Sequence, residues 1–106
     1  MNKEISASEA VILQDNNIDA VFLDVREHSE LAICCIEGAL HIPMGDVPER
    51  HEALPRDAPL IVLCHHGMRS LNVVQYLETK GFQNAINLAG GIHAWAVDVD
   101  PEMKQY

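Results

Sequence analysis

The 106-residue sequence predicts a small α/β domain in which helices flank a central, mainly parallel sheet. Two continuous apolar runs, at residues 20–25 and 59–64, have the composition of strands that are buried on both faces. Segments with helical spacing follow the strands over short connections, and this alternation is typical of parallel sheets. Because the length suits one domain and the chain shows no linker or internal repeat, residues 1–106 are predicted to form a single domain.

The first half of the chain opens on a helix-capping pattern. Ser6 is followed three residues later by Glu9, which predicts a capping box and a helix over Ala7–Gln14. The further elements predicted in this half are a strand over 20–25, a brief helix over 26–33, a short strand over 38–43 that Pro43 ends, and a helix over 46–54 with Pro48 in its first turn.

The second half of the chain is organised around the run 59–64, which is the clearest buried strand. A polar loop leads from this strand into residues 70–81, whose apolar positions form a broad helical stripe. Ser70 is predicted to be the N-cap of this helix and Gly81 its C-cap. The remaining predicted elements are a strand over 84–88, a short helix over 90–97 and an acidic tail that lies on the surface.

The formal charge of −9 argues against a nucleic-acid partner, because the chain has only seven Lys and Arg residues and they form no cluster. The same charge opposes the approach of small anions from solution. A binding site for an anion is therefore expected to be built locally, from backbone N–H groups and one or two arginines.

Cysteine usage and hydropathy indicate the compartment. The three cysteines, Cys34, Cys35 and Cys64, are too few and too irregular for a disulfide framework, so all three are expected to be reduced. The apolar runs are too short to cross a membrane, and the first residues lack the apolar core and cleavage site of a secretory signal. The chain is therefore predicted to be cytoplasmic, with no membrane partner.

Three side chains that could take part in chemistry fall at predicted strand ends, namely Asp24, His41 and Cys64. In parallel sheets, ligands bind beyond the carboxyl ends of the strands. Cys64 also precedes a helix, and the backbone N–H groups at such a junction stabilise a thiolate. The position therefore favours a cysteine with a depressed pKa that is nucleophilic at neutral pH.

The residues that follow Cys64 suit an anion-binding loop around its sulfur. Gly67 lets the backbone turn through conformations closed to other residues, and Arg69 can pair with an anionic substrate or product. His65 and His66 are expected to contribute mainly backbone N–H groups, with their rings at the edge of the site or in solvent. A histidine ring could also stabilise the thiolate or accept a proton.

Spacing alone leaves two other interpretations of Cys64 open. It could be a structural cysteine that ends a buried strand, since free cysteine is among the most buried residue types. It could also bind a metal together with His65 and His66. Adjacent histidines cannot easily both turn toward an ion that Cys64 also binds, and a zinc site needs a fourth ligand. Neither a metal nor a cofactor is therefore expected.

Four blocks of the sequence together resemble the rhodanese (thiosulfate sulfurtransferase) family, in the family's order and over nearly the whole chain. The blocks are "LDVRE" (23–27), "IEGALHIP" (36–43), "LCHHGMRS" (63–70) and "YLETKGFQNAINLAGGIHAW" (76–95). Before the second block the family often has Gly-His-Ile, whereas this chain has Cys34, Cys35 and Ile36. These two cysteines are expected to pack locally, and the alternative is a resolving thiol for a persulfide.

The resemblance implies a central parallel sheet and a catalytic cysteine at position 64. Cys64 would accept a sulfane sulfur from a donor such as thiosulfate, become a persulfide, and pass the sulfur to a thiol or to cyanide with ping-pong kinetics. Arg69 would bind thiosulfate or the departing sulfite, and a sulfur-relay protein could be a partner. The substrate-binding residues that the resemblance implies are His65, His66, Gly67, Met68, Arg69 and Ser70.

Residues outside this loop are predicted to have structural roles. Asp24 and Arg26 are expected to form an ion pair that braces the loop rather than to act on substrate. Trp95 is expected to anchor the core, and Gly90–Gly91 to form a tight turn.

The same fold leaves three rival functions to weigh. Dual-specificity phosphatases and arsenate reductases also begin this loop with Cys and end it with Arg, but they place five residues between the two. Only four residues separate Cys64 from Arg69, and a shorter loop suits one sulfur atom better than a phosphoryl group. The second rival is a non-enzymatic docking module, and such members typically lack the cysteine that this chain keeps. The third is a persulfide carrier between a protein donor and a biosynthetic acceptor.

Overall fold

The computed structural model describes residues 3–106, and within that range the backbone forms a five-stranded sheet whose strands are all parallel. The strands are β1 (Glu4–Ile5), β2 (Val21–Asp24), β3 (Leu40–His41), β4 (Leu60–Leu63) and β5 (Ala85–Leu88). Their order across the sheet is β1-β5-β4-β2-β3, which places β4 at the centre. The predicted α/β class with a mainly parallel sheet is therefore confirmed.

Helices connect the strands and cover both faces of the sheet. They are α1 (Ala7–Asn16), α2 (His28–Leu31), α3 (Val47–Arg50), α4 (Met68–Thr79) and α5 (Gly91–Asp98), with 3-10 turns at Met44–Asp46 and His51–Ala53. The predicted capping box opens α1, because Ser6 Oγ accepts from the Glu9 N–H at 3.1 Å and Glu9 Oε1 accepts from the Ser6 N–H at 2.9 Å. Within residues 3–106, no helix has both the length and the apolar character needed to cross a membrane.

Each face of the sheet has its own apolar core. Side chains alternate along a strand, so Leu60 and Val62 of β4 enter one core while Ile61 and Leu63 enter the other. The first core packs against α3 and α4, and the second packs against α1 and α5. All four side chains are 0% exposed, and burying each of them contributes about 1.5–3 kcal/mol. The prediction that this strand is buried on both faces is confirmed.

Trp95 lies in the core on the α1 and α5 side, as predicted. Its side chain is buried, and its ring meets the ring of Phe22 edge to face, with the centroids 5.3 Å apart. An edge-to-face pair of this kind adds about 0.5–1.5 kcal/mol to the burial of the two rings. Trp95 therefore fixes α5 against the sheet.

Some predicted boundaries differ from the structure. The sequence gives no sign of β1, since two residues are too few to show an alternating pattern and Glu4 is placed by pairing with Asn87 of β5. The helices predicted over 26–33 and 46–54 are shorter, with only four residues each in α2 and α3. Such short helices have few internal hydrogen bonds, so the packing of the connections determines their length.

The two ends of α4 correct one prediction and confirm another. Ser70 is not the N-cap, because Gly67 occupies that position with a φ of +109° and Ser70 is buried within the first turn. Glycine reaches this left-handed conformation at low cost. At the other end, Gly81 (φ +88°) follows the last helical residues, and its N–H and that of Phe82 return to carbonyls of the last turn in a Schellman motif.

The register of the sheet brings the three predicted strand-end side chains to one edge. Asp24 pairs with His41 on one side and with Leu63 on the other. Cys64 follows Leu63 directly, so it lies beyond the carboxyl end of the central strand. The candidate site is therefore placed where parallel sheets bind their ligands.

Candidate active site

Cys64 is only 1% exposed and lies between β4 and α4. Its Sγ accepts a hydrogen bond from the Gly67 N–H at 3.1 Å and lies 3.4 Å from Ser70 Oγ. The backbone N–H groups of Arg69 and Ser70 also favour a negative charge on the sulfur and lower its pKa. We call this set of groups around Sγ the cradle. It lies at the positive end of the α4 dipole.

The cradle favours the thiolate form of Cys64. Burial by itself raises the pKa of the thiol, because a buried charge loses its hydration. The hydrogen bonds from the Ser70 hydroxyl and from the N–H groups of Ser70, Gly67 and Arg69 outweigh that effect, and the pKa lies below the usual value for a thiol. The geometry thus agrees with the depressed pKa expected at a junction between a strand and a helix.

The first turn of α5 hydrogen-bonds the beginning of the loop that follows β4. The N–H of Ile92 donates to the Cys64 carbonyl at 2.8 Å, and that of His93 donates to the His65 carbonyl at 3.1 Å. The N–H groups at the start of a helix have no partners within the helix, and here they pair with two carbonyls of the loop after β4. Gly91 (φ +61°) permits this approach, because a Cβ atom there would collide with both carbonyl groups. The predicted tight turn is confirmed, and its second glycine has this further role.

Asn87 is a buried polar side chain on β5 that lies beneath the cradle, and sequence reasoning missed it. Its Nδ2 donates to the Gly67 carbonyl at 3.2 Å and to Glu4 Oε2 at 2.8 Å, which fixes the orientation of the amide. Its Oδ1 then accepts from Ser70 Oγ at 2.5 Å. The single hydroxyl proton of Ser70 can serve Asn87 or turn toward Cys64 Sγ when the thiolate forms. The signal that could have indicated this role is the presence of a polar residue, Asn87, within a short strand.

Outside the cradle, Arg69 forms a bidentate ion pair with Glu30. Its Nη1 lies 2.7 Å from Oε1 and its Nη2 lies 2.9 Å from Oε2. This pairing holds the pKa of Glu30 well below its usual range, so the carboxylate is charged at neutral pH. Sequence reasoning missed Glu30. Arg69 has three further N–H donors, and its binding of an anionic substrate stays a prediction.

The tail after α5 returns to this ion pair. As predicted, the tail is mostly exposed, but Tyr106 OH donates to Glu30 Oε2 at 2.7 Å and accepts from Arg26 Nη1 at 3.0 Å. The ring of Tyr106 stacks on that of His65, with the centroids 3.8 Å apart. Burial and the Glu30 carboxylate raise the pKa of Tyr106 to about 12, against the opposing effect of Arg26. We call Arg69, Glu30, Tyr106 and His65 the rim.

The predicted ion pair between Asp24 and Arg26 is confirmed. Arg26 Nη2 lies 2.7 Å from Asp24 Oδ2, and both side chains are buried. Arg26 also donates to the carbonyls of Glu30 and Cys34, at 3.4 and 2.8 Å. The pair therefore braces the segment after β2, which carries Glu30, rather than contacting the loop after β4 through these bonds. Removing one partner of a buried pair costs about 3–5 kcal/mol.

The other predicted loop residues lie at the edge of the site. The half-buried ring of His65 lies against the ring of His66, with the centroids 3.9 Å apart, while His66 itself is exposed and Met68 is 70% exposed. Burial and the neighbouring His66 lower the pKa of His65, so its ring is uncharged at neutral pH. Across residues 3–106, no three side chains of His, Cys, Asp or Glu are grouped so that they could hold a metal ion.

The other two cysteines lie apart from the cradle. Cys34 is half-buried and packs against the core that contains Trp95, whereas Cys35 is exposed. The predicted local packing therefore holds for Cys34 but is wrong for Cys35. Cys34, Cys35 and Cys64 are all free cysteines in the structure.

A parallel α/β sheet that holds a buried, hydrogen-bonded cysteine at the end of its central strand defines a class of small domains with a candidate cysteine nucleophile. Comparison with known families makes the assignment specific. The Rhodanese-like domain family matches residues 7–98, so the chain belongs to the rhodanese-like family. The resemblance carried by the four sequence blocks is therefore confirmed.

Individual relatives agree with this assignment. The chain is 39% identical over 100 residues to "Putative sulfurtransferase YtwF" of Bacillus subtilis, covering 94% of this chain and 96% of that protein. It is 36% identical over 95 residues to thiosulfate sulfurtransferase GlpE of Coxiella burnetii, covering 90% and 88%. The crystal structure of a rhodanese-related protein from Thermoplasma volcanium matches with a TM-score of 0.83 at 31% identity, covering 92% and 93%. These relatives support an enzyme of the sulfurtransferase type.

Proposed function

We propose that the protein transfers a sulfane sulfur through a persulfide on Cys64. The Cys64 thiolate attacks the outer sulfur of a donor such as thiosulfate or an organic persulfide. One S–S bond forms, one S–S bond breaks, and the leaving group departs as sulfite or as a thiolate. A second nucleophile, a thiol or cyanide, then takes the outer sulfur and regenerates the thiolate.

The observation that carries this proposal is the cradle around the Cys64 sulfur. A persulfide places its negative charge one atom beyond Sγ, and we expect the loop from His65 to Ser70 to supply backbone donors there, as the Gly67 N–H does for Sγ itself. Preorganised N–H groups stabilise charge at no cost of reorganisation during the reaction. In this scheme Gly67, Arg69 and Ser70 bind the transferred sulfur, while His65, His66 and Met68 border its entrance.

The position of Arg69 also favours sulfur transfer over phosphoryl transfer. A phosphoryl group spreads its charge over three oxygens and requires a guanidinium directed at them. The guanidinium of Arg69 is instead engaged by Glu30, and only four residues span the loop from Cys64. Asp24 and Arg26 support the site by fixing the segment that carries Glu30.

The physiological acceptor is proposed to be a thiol, either of a small molecule or of a sulfur-relay protein. Mass spectrometry after incubation with thiosulfate tests the first half-reaction. We expect one added sulfur atom on the peptide that contains Cys64, and its loss when cyanide or a thiol is added. If the sulfur is absent from this peptide, the non-enzymatic docking function is favoured. Appreciable Cys64-dependent hydrolysis of a phosphate ester would contradict the proposal in favour of a phosphatase.

A further inference from the structure

The Glu30 carboxylate is fixed at the rim by four donors. Two come from Arg69, one is the Tyr106 hydroxyl at 2.7 Å, and one is the Glu27 N–H at 3.1 Å. The side chain of Glu30 is only 17% exposed, and that of Arg69 is 36% exposed. Glu30 is therefore a fixed negative charge in a partly desolvated position, where electrostatic effects are stronger than in water.

This negative charge cancels the positive charge of Arg69 at the entrance to the cradle. Arg69 lies in the first turn of α4, next to the cradle, and Glu30 is linked to His65 through Tyr106, whose hydroxyl donates to Glu30 and whose ring stacks on His65. A leaving group expelled by Cys64 must point away from the buried sulfur, that is, toward the rim. The sulfite that leaves from thiosulfate therefore meets a neutralised ion pair with a carboxylate beside it, rather than a free cation.

We propose that Glu30 is a specificity-determining residue that disfavours the dianion thiosulfate and favours sulfane-sulfur donors with one charge fewer. This proposal rests on the proposed function and names its substrate class. Thiosulfonates (RSO₂S⁻) and organic persulfides (RSS⁻) belong to that class. In the thiosulfonate reaction, Cys64–S⁻ and RSO₂–S⁻ give Cys64–S–S⁻ and the sulfinate RSO₂⁻. One S–S bond is exchanged for another, and no external oxidant or reductant is needed.

The test compares sodium thiosulfate with sodium methanethiosulfonate, with cyanide as the acceptor and thiocyanate as the product measured. In wild type, kcat/KM is expected to be at least about tenfold higher for methanethiosulfonate. Glu30→Gln should raise kcat/KM for thiosulfate roughly three- to tenfold through a lower KM, because it removes one partly exposed like charge. The value for methanethiosulfonate should change less than about twofold.

Glu78→Gln is the matched control, since it changes the net charge equally but lies near the far end of α4, on the order of 15 Å along the helix from the cradle. It should leave the ratio of the two donors unchanged. Glu30→Ala provides a second removal of the charge, and thermal melting establishes that each variant is folded.

Three results would overturn the specificity proposal. They are a wild-type preference for thiosulfate, an unchanged donor ratio in folded Glu30→Gln and Glu30→Ala, and an equal loss with both donors, which would mean that Glu30 only holds Arg69 in place. Transfer from neither donor by wild type would instead overturn the proposed function, and the specificity proposal with it.

Discussion

The cradle and the rim are adjacent parts of one site, but they consist of different chemical groups. The cradle consists of backbone N–H groups at the start of α4 and the buried hydroxyl of Ser70, and Cys64 at its centre is 1% exposed. The rim consists of long polar side chains, and Tyr106 is 39% exposed. In the cradle, glycines and tight hydrogen bonds determine the geometry, whereas in the rim ion pairs and ring stacking determine it.

This difference separates two tasks within one site. The cradle donors are directed at the sulfur that every donor has in common, so the cradle suits a chemical step that is common to many donors. Side chains at the rim can change without disturbing the fold, so the rim suits discrimination between donors. Changes in the cradle are therefore expected to reduce activity with every donor, while changes in the rim alter the ratio between donors.

The largest effect is expected from Cys64→Ser. A hydroxyl at this position is not ionised at neutral pH and cannot form a persulfide, so sulfur transfer should fall by at least about a thousandfold. The measurement is thiocyanate formation with both donors, together with a melting temperature close to that of wild type. Substantial remaining activity would place the nucleophile elsewhere.

Gly91→Ala tests whether backbone packing maintains the cradle. A Cβ atom there would collide with the carbonyl groups of Cys64 and His65, at a φ that already disfavours alanine. We expect a loss of at least about 2 kcal/mol in the free energy of unfolding and a strong loss of activity. Gly45→Ala is the control, because a Cβ at Gly45 meets open space. Equal stability of the two variants in urea titrations would disprove this role of the α5 turn.

Ser70→Ala tests how much the Ser70 hydroxyl lowers the pKa of the Cys64 thiol. The thiolate is the reactive form, so alkylation of Cys64 by iodoacetamide should rise with pH and level off above the pKa of the thiol. Because the Ser70 hydroxyl lowers that pKa, the variant should show a higher midpoint and react on the order of tenfold more slowly near neutral pH. Ser8→Ala, on the exposed side of α1, should retain the wild-type midpoint. If the midpoint of the alkylation rate does not shift in Ser70→Ala, the backbone N–H groups alone lower the pKa of Cys64.

The smallest effect is expected when Cys34 and Cys35 are both replaced by alanine. Neither thiol belongs to the cradle, so most of the thiocyanate-forming activity should remain, within about threefold of wild type. A near-total loss, with the fold intact by circular dichroism, would support the alternative in which one of them resolves the Cys64 persulfide. Cys34 would then have to be counted among the residues of the active site.

The sequence by itself determined the fold class, the family and the location of Cys64. Short continuous apolar runs bounded by polar residues are typical of strands buried on both faces, and few arrangements connect such a strand to the helix that follows it. For the same reason, the Asp24–Arg26 pair, the capping box at Ser6 and the glycine end of α4 could be predicted. All of these features depend on residues close together in the chain.

Only the tertiary structure decided which distant residues complete the site. Asn87 reaches Ser70 because β5 lies beside β4, and Glu30 reaches Arg69 because the segment after β2 folds over the same edge of the sheet. Tyr106 arrives there from a tail with no periodic pattern at all. Side-chain contacts across tens of residues leave no local signal, since they depend on the packing of whole elements rather than on spacing. The nucleophile could therefore be predicted from the sequence, whereas the groups that set its pKa and the charge at its entrance emerged only from the fold.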